Sequence, residues 1–271
     1  MKQEYTIFQV DAFTDSLFKG NPAAVVPWEG EWLPDTKLIE LAAENNLSET
    51  AFYRPRKEPG EYDLRWFTPG VEVDLCGHAT LATSFALYEL LEKEEETPSL
   101  KFHTKSGLLE VFREDGKYYL DFPSRPPVNT EYSPEDFLDC FDLKAKEILK
   151  ARDIVFVFEK ESEIRNLIPN HEALKKIPFF AAIVTAPADP GKPYDFVSRF
   201  FAPAKGVPED PVTGSSHCTL IPYWSKKLVK KNLNAYQASP RGGHLICEDR
   251  EDRVRIGGTC KLYLKGSFYL E

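Results

Sequence analysis

The chain has 271 residues, with 34 Lys and Arg against 43 Asp and Glu, a formal net charge of −9. Apolar residues make up 42% and aromatics 13%, enough for a substantial core in one large or two ordinary domains and too much for bulk disorder. The acidic balance argues against a phosphate-backbone binder, and no apolar run reaches the ~20 residues that span a bilayer, so neither a nucleic acid nor a membrane is expected as partner.

In chain order, residues 5–13 (Tyr5-Thr6-Ile7-Phe8-Gln9-Val10-Asp11-Ala12-Phe13) read as a strand closed by the turn signal Lys19-Gly20-Asn21-Pro22. The charges at Lys2, Glu4 and Asp11 do not fit a signal peptide. A second apolar run covers 23–26. The spacing predicts a short helix over 38–45 with Leu38, Leu41 and Ala42 on one face, then strands over 50–53 and 62–67. A helix follows over 79–91, with Leu81, Phe85, Tyr88 and Leu91 along one side, and runs into Glu92-Lys93-Glu94-Glu95-Glu96, a solvated helix end. Short strands broken at Ser106-Gly107 and Asp115-Gly116 lead to a Pro-rich stretch at 123–127, which marks a boundary between lobes 1–128 and 129–271. The final strand is a candidate to cross back to the first lobe.

The second half echoes the first. Arg-aromatic-Phe-x-Pro occurs at 65–69 and again at 199–203. Each copy precedes a glycine that opens a helix, Cys76-Gly77-His78 and Thr213-Gly214-Ser215, and later turns match at Ser106-Gly107 and Gly242-Gly243. Upstream, Glu49-Thr50-Ala51-Phe52-Tyr53-Arg54-Pro55 faces Phe180-Ala181-Ala182-Ile183-Val184-Thr185-Ala186-Pro187. One period of half the chain means an internal duplication, not a solenoid.

Helix N-termini present unpaired N–H groups and a partial positive charge, so two glycine-opened helices suit a small anion such as a carboxylate. Ordinary capping by Ser215 and Ser216 is the alternative. At the first helix start, the dipole is expected to lower the pKa of His78 and favour a neutral ring. Cys76 there is a candidate low-pKa thiol, though buried packing is the favoured reading. Glu49, at the edge of an apolar strand, has the type and partial desolvation of an acid/base group, but by its residue context alone reads as a surface glutamate. Pro208 and Pro211 stiffen a loop that holds Asp210 near the second helix start. His103, His171, His217 and His244 lack metal-ligand spacing, and nucleotide-binding and nucleophile-elbow motifs are absent. No metal or cofactor is therefore expected. Five scattered cysteines without C-x-x-C fit a reducing, cytoplasmic setting.

Four blocks carry a resemblance over nearly the whole chain. They are Phe8-Gln9-Val10-Asp11-Ala12-Phe13 with Gly20-Asn21-Pro22; Asn46-Leu47-Ser48-Glu49-Thr50-Ala51-Phe52; Phe67-Thr68-Pro69 with Asp74-Leu75-Cys76-Gly77-His78-Ala79-Thr80; and Phe201-Ala202-Pro203 with 209–218. In these the chain resembles the PhzF-like phenazine-biosynthesis family of the diaminopimelate-epimerase-like fold superfamily. The resemblance implies an α+β fold of two pseudo-twofold-related lobes, each a β-barrel-like sheet around a central helix, with the site between them and a homodimer as the assembly. It implies a cofactor-independent isomerase that moves a proton within a small carboxylate-bearing substrate. Glu49 takes the acid/base role, His78 and Asp210 join it, and Gly77, Gly214 and Ser215 hold the substrate. The match reverses the weighting of Glu49. Epimerases and racemases of the superfamily place a cysteine in each lobe, whereas the corresponding residues here are Cys76 and Thr213. An amino- or hydroxy-acid epimerase, or an inactive small-acid or partner-binding protein, are the alternatives.

Overall fold

The computed structural model describes residues 3–91 and 97–271; the acidic run expected to end a helix at 92–96 lies outside them. The chain divides into two compact units. One runs to Asp121 and takes in Gly257–Glu271; the other is Phe122–Ile256. The sequence-based boundary stands at 128/129, seven residues further on. The Pro-rich stretch belongs with the second unit because Ser124 N–H donates to Asp252 O at 2.9 Å and Arg125 N–H to Cys218 O at 2.8 Å.

The strands of the first unit are β1 (Gln3–Ala12), β2 (Asn21–Pro27), β3 (Glu49–Pro55), β4 (Glu61–Phe67), β5 (Glu72–Val73), β6 (Ser99–Thr104), β7 (Gly107–Glu114) and β8 (Lys117–Pro123). β1 and β2 are antiparallel, β2 and β3 parallel, β3 and β4 antiparallel. β4 takes β5 antiparallel and β6 parallel, and β6, β7 and β8 follow as hairpins. The C-terminal strand Cys260–Leu270 runs antiparallel to β1 from Ala12↔Cys260 to Gln3↔Leu270, which is why it joins this unit.

Two helices complete the unit, α1 (Asp35–Asn45) and α2 (Gly77–Phe85), the latter continuing as a π-helical turn over Ala86–Leu90. α1 buries Leu38 and Ala42 beside Phe52 and Phe67, as its spacing predicts. α2 differs from expectation. Every residue from Gly77 to Ser84 is buried, so the helix has no solvent face and packs on β1, β2 and β3. Its small residues let strands approach on all sides. Its hydroxyls are satisfied within the helix: Thr80, Thr83 and Ser84 donate to the carbonyls of Cys76, Ala79 and Thr80 at 2.6, 2.8 and 2.9 Å. Polar residues at 80, 83 and 84 give the local spacing an amphipathic look, yet the helix is enclosed, as the resemblance implies for a central helix.

The second unit contains β9 (Val128–Asn129), β10 (Glu147–Lys150), β11 (Ile154–Val157), β12 (Ala182–Pro187), β13 (Phe196–Ala202), β14 (Val207–Asp210), β15 (Asn232–Gln237), β16 (Gly243–Arg250) and β17 (Arg253–Gly258). Its helices are α3 (Glu161–Asn166), α4 (His171–Leu174) and α5 (Gly214–Leu228). The pairing repeats the first unit strand for strand. β10 and β11 are antiparallel, β11 and β12 parallel, β12 and β13 antiparallel; β13 takes β14 antiparallel and β15 parallel, and β15 and β16 form a hairpin. Its core is aromatic, with Phe137, Phe141, Phe156, Phe158 and Phe201 packed together.

The repeated Arg-aromatic-Phe motif has a structural cause. Arg65 grips Glu72 through two bonds of 2.8 and 3.0 Å, and Arg199 grips Glu209 through two of 2.8 and 2.9 Å. Each fork fastens a short strand, β5 or β14, to its neighbour. Each guanidinium also lies over the phenylalanine two residues on, 4.9 Å from Phe67 and 5.0 Å from Phe201. Residues 207–210, expected as a Pro-stiffened loop, are thereby a strand.

Candidate active site

In the first unit Glu49, Cys76 and His78 converge. Glu49 opens β3, Cys76 is the residue before α2, and His78 is the second residue of the helix. The His78 Nε2 lies 3.1 Å from Glu49 Oε2, with side-chain exposures of 5% and 16%. The Cys76 Sγ lies 3.5 Å from His78 Nδ1 and 4.0 Å from Nε2. The close approach of Glu49 to the ring is not an aligned hydrogen bond, and Oε2 is buried without a donor. A buried carboxylate oxygen left in this state is costly, and is ready to accept a proton or an ion.

Asn21 completes the cluster, with Nδ2 3.2 Å from His78 Nδ1. Its position is set by the preceding turn. Gly20 has φ +65°, and a Cβ there would meet the Ala12 carbonyl oxygen at 2.1 Å, so only glycine fits. An amide N–H on Nδ1 holds the neutral ring with its hydrogen on Nε2. An imidazolium requires Asn21 to turn its amide oxygen to Nδ1.

The expected lowering of the His78 pKa is overturned. Burial does push it down, but Cys76 and Glu49 outweigh burial and the net direction is upward. A helix end contributes at most ~2 kcal/mol. A charge pair 3.1 Å apart contributes about 5 kcal/mol at an effective dielectric near 20. The Cys76 thiol is pushed up to about 11, chiefly by burial and then by the Glu49 charge. This agrees with the reading of Cys76 as buried packing and not as a low-pKa thiol. Cys76 first and Glu49 second hold the His78 shift upward against burial.

In the second unit the start of α5 is organised differently. The Asp210 carboxylate accepts a hydrogen bond from the Thr213 hydroxyl. The fully buried Gln237 side chain accepts from Thr213 N–H at 2.9 Å and donates to Asp210 O at 2.8 Å. Ser215 Oγ accepts from Arg152 Nη2 at 3.3 Å. That guanidinium is held by two bonds to the buried Asp153, of 3.0 and 2.9 Å, and lies 4.5 Å over Phe180. Neither α2 nor α5 has a capping side-chain bond at its N-cap residue, Cys76 or Thr213. Ser215 and Ser216 lie inside the helix rather than capping it. Backbone N–H groups at Gly77 and Gly214 thus open both helices without competition from a cap.

The strand registers set the duplicated pairing residue by residue. Thr50 pairs with Phe67 and Ala182 with Phe201, so the counterpart of Glu49 is Ala181. Of the residues singled out in the sequence, Glu49, Gly77 and His78 come together in one unit, and Asp210, Gly214 and Ser215 gather at one helix start in the other. Asn21, Gln237 and Arg152 were missed as site residues. Gly20-Asn21-Pro22 was visible as a turn. Gln237 and Arg152 have no local signal, because strand pairing brings them to the helix start from 24 and 63 residues away.

Among the described residues no helix is long and apolar enough to cross a membrane. The family model described as "Phenazine biosynthesis-like protein", PhzC-PhzF, matches residues 10–266. An uncharacterized isomerase of Pseudomonas aeruginosa is 48% identical over 267 residues, covering 98% of this chain and 100% of its own. The crystal structure of a PhzF-family phenazine biosynthesis protein from Enterococcus faecalis superposes with TM-score 0.92 at 47% identity, over 99% of this chain and 100% of that one. A hydroxyproline epimerase from Agrobacterium vitis shares the fold, with TM-score 0.61 at 12% identity over 98% of this chain and 93% of its own.

Proposed function

We propose that this chain, which belongs to the phenazine biosynthesis-like (PhzC-PhzF) family, is an isomerase that moves a proton within a small carboxylate-bearing substrate without a cofactor. The observation that carries the reading is the buried, donorless Oε2 of Glu49 beside the ring of His78. Glu49 takes the proton from a carbon next to the substrate's electron-withdrawing group and returns it elsewhere. His78, with its raised proton affinity, stabilises the Glu49 carboxylate and relays a proton. Asp210 orients the substrate's amine or hydroxyl. The N–H groups at Gly77, Gly214 and Ser215, with the Ser215 hydroxyl, hold the carboxylate and the charge that develops on it.

Epimerisation needs an acid/base group for each face of the carbon. Ala181 at the counterpart of Glu49 and Thr213 at that of Cys76 favour proton migration instead. The isomerase name of the Pseudomonas aeruginosa relative supports the isomerase class, which takes in both outcomes.

The test is carbon-bound hydrogen exchange in D₂O, followed by NMR over a panel of cyclic and acyclic amino and hydroxy acids. Wild type exchanges at least one of them with migration of the proton. Glu49→Gln exchanges it about 10²–10⁴-fold more slowly at unchanged binding. A Glu49→Gln variant with normal exchange overturns the role.

A further inference from the structure

We propose that Glu49, Cys76 and His78 form a three-ligand site for a borderline-soft divalent cation of the zinc class, and that its occupancy silences the acid/base pair. The inhibitory half rests on the reading above; the ligation does not.

Three donor types meet in one unit, a carboxylate oxygen, a sulfur and an imidazole nitrogen, all within 4.8 Å of one another. Sequence spacing hides this, because β3 brings Glu49 to the helix start from 27 residues before Cys76. Tetrahedral zinc requires donor spacings of about 3.3–3.6 Å. Glu49 Oε2 to His78 Nε2 is 3.1 Å, and Cys76 Sγ to Nε2 is 4.0 Å. Cys76 Sγ lies nearer Nδ1, at 3.5 Å, so it must swing by about 2 Å, a rotation of its side chain, to face an ion held at Nε2 beside Oε2. Independently, Glu49 Oε2 is buried with no hydrogen-bond donor, and a cation supplies the missing partner.

Charge also balances. A thiolate, a carboxylate and a neutral imidazole offset the two positive charges of the ion, so the buried site becomes neutral. On ligation Sγ–H and Nε2–H each lose a proton to solvent, and sulfur and nitrogen bond the metal in their place. Asn21 then turns its amide oxygen to accept from Nδ1–H, the supporting contact that metal-bound histidines commonly have. Three protein ligands leave a fourth position open. With Glu49 and His78 both bound to the ion, neither can carry a proton.

The experiment is a Co²⁺ titration of the reduced, chelator-treated full chain, read by absorbance. The expected result is a thiolate-to-cobalt charge-transfer band that saturates at one ion per chain and is displaced by Zn²⁺. Cys76→Ser removes the band, Glu49→Gln weakens binding at least about tenfold, and Asn21→Ala weakens it by about 10–100-fold. Absence of the band in wild type overturns the proposal. So does a band that persists in Cys76→Ser, which would report one of the four other free cysteines. Circular dichroism of the variants confirms folding, and the wild-type spectrum decides the matter if a variant fails. The two readings fail separately. Cobalt ligation with normal exchange in Glu49→Gln removes the isomerase role and keeps the site. Slow exchange in Glu49→Gln without ligation removes the site and keeps the role.

Discussion

Cys76-Gly77-His78-Ala79-Thr80 and Thr213-Gly214-Ser215-Ser216-His217 occupy the same turn of the two units, down to individual bonds. The side chain four residues into each donates to the carbonyl at its start, Thr80 Oγ1 to Cys76 O at 2.6 Å and His217 Nδ1 to Thr213 O at 2.8 Å. Each turn contains one histidine, and the two differ in chemistry. His78 faces the Glu49 carboxylate and has its pKa raised well above the ordinary range. His217 is fully buried beside Phe196 with no acidic partner, and burial pushes its pKa down to about 4. One scaffold with two placements of a ring relative to a carboxylate yields a ring coupled to an acid in one unit and a packing residue in the other.

The largest expected effects separate chemistry from holding. Glu49→Gln lowers turnover by about 10²–10⁴-fold with KM little changed. Ser215→Ala raises KM about tenfold, the loss of one hydrogen bond, with turnover little changed. Steady-state kinetics on the exchanging acid distinguish the two, and a matching loss of turnover in Ser215→Ala breaks the division of labour.

The duplicated forks come next. Arg199→Ala leaves Glu209 without its partner, frees the carbonyls of Ile164 and Leu167 that the guanidinium also holds, and costs about 3–5 kcal/mol of stability. Arg65→Ala removes a more exposed fork, 20% against 10%, and costs about half as much. Urea unfolding of the two variants measures the ratio, and equal losses contradict the burial argument.

His217 makes stability depend on pH with a definite sign. Its folded pKa lies below that of the unfolded chain, so its contribution is complete above pH 6.5 and is lost as pH falls towards 4. The loss amounts to about 3 kcal/mol across that window. His217→Asn retains a donor towards Thr213 O and flattens this part of the profile; an unchanged slope in urea unfolding between pH 7 and 5 contradicts the assignment. The smallest effect is at Thr213. Thr213→Val keeps the shape, removes the donor to Asp210 and the acceptor for Gln237, and costs about 1–2 kcal/mol in thermal unfolding.

Much of this was legible in the sequence because duplication prints a pattern twice. The Arg-aromatic-Phe repeat marked the forks, and the paired glycines marked both helix starts. The local spacing also placed α1 and the strands around Glu49. What stayed hidden depended on contacts between distant segments. The polar residues at 80, 83 and 84 disguised α2 as amphipathic because their bonds run back into their own helix. Gln237 and Arg152 reach the α5 start only through strand pairing. The direction of the His78 shift was misjudged because a helix dipole is a local feature, whereas Glu49 comes to the ring from 29 residues earlier in the chain.

The coupling of Glu49 to His78 can be measured without knowing the substrate. Nitrogen-15 NMR titration of the His78 ring, in wild type and in Glu49→Gln, reads it directly. The account predicts that wild-type His78 titrates above the ordinary histidine range. In Glu49→Gln the midpoint falls, because one of the two groups that raise it against burial is gone. The same midpoint in both proteins would contradict the proposed acid/base pair.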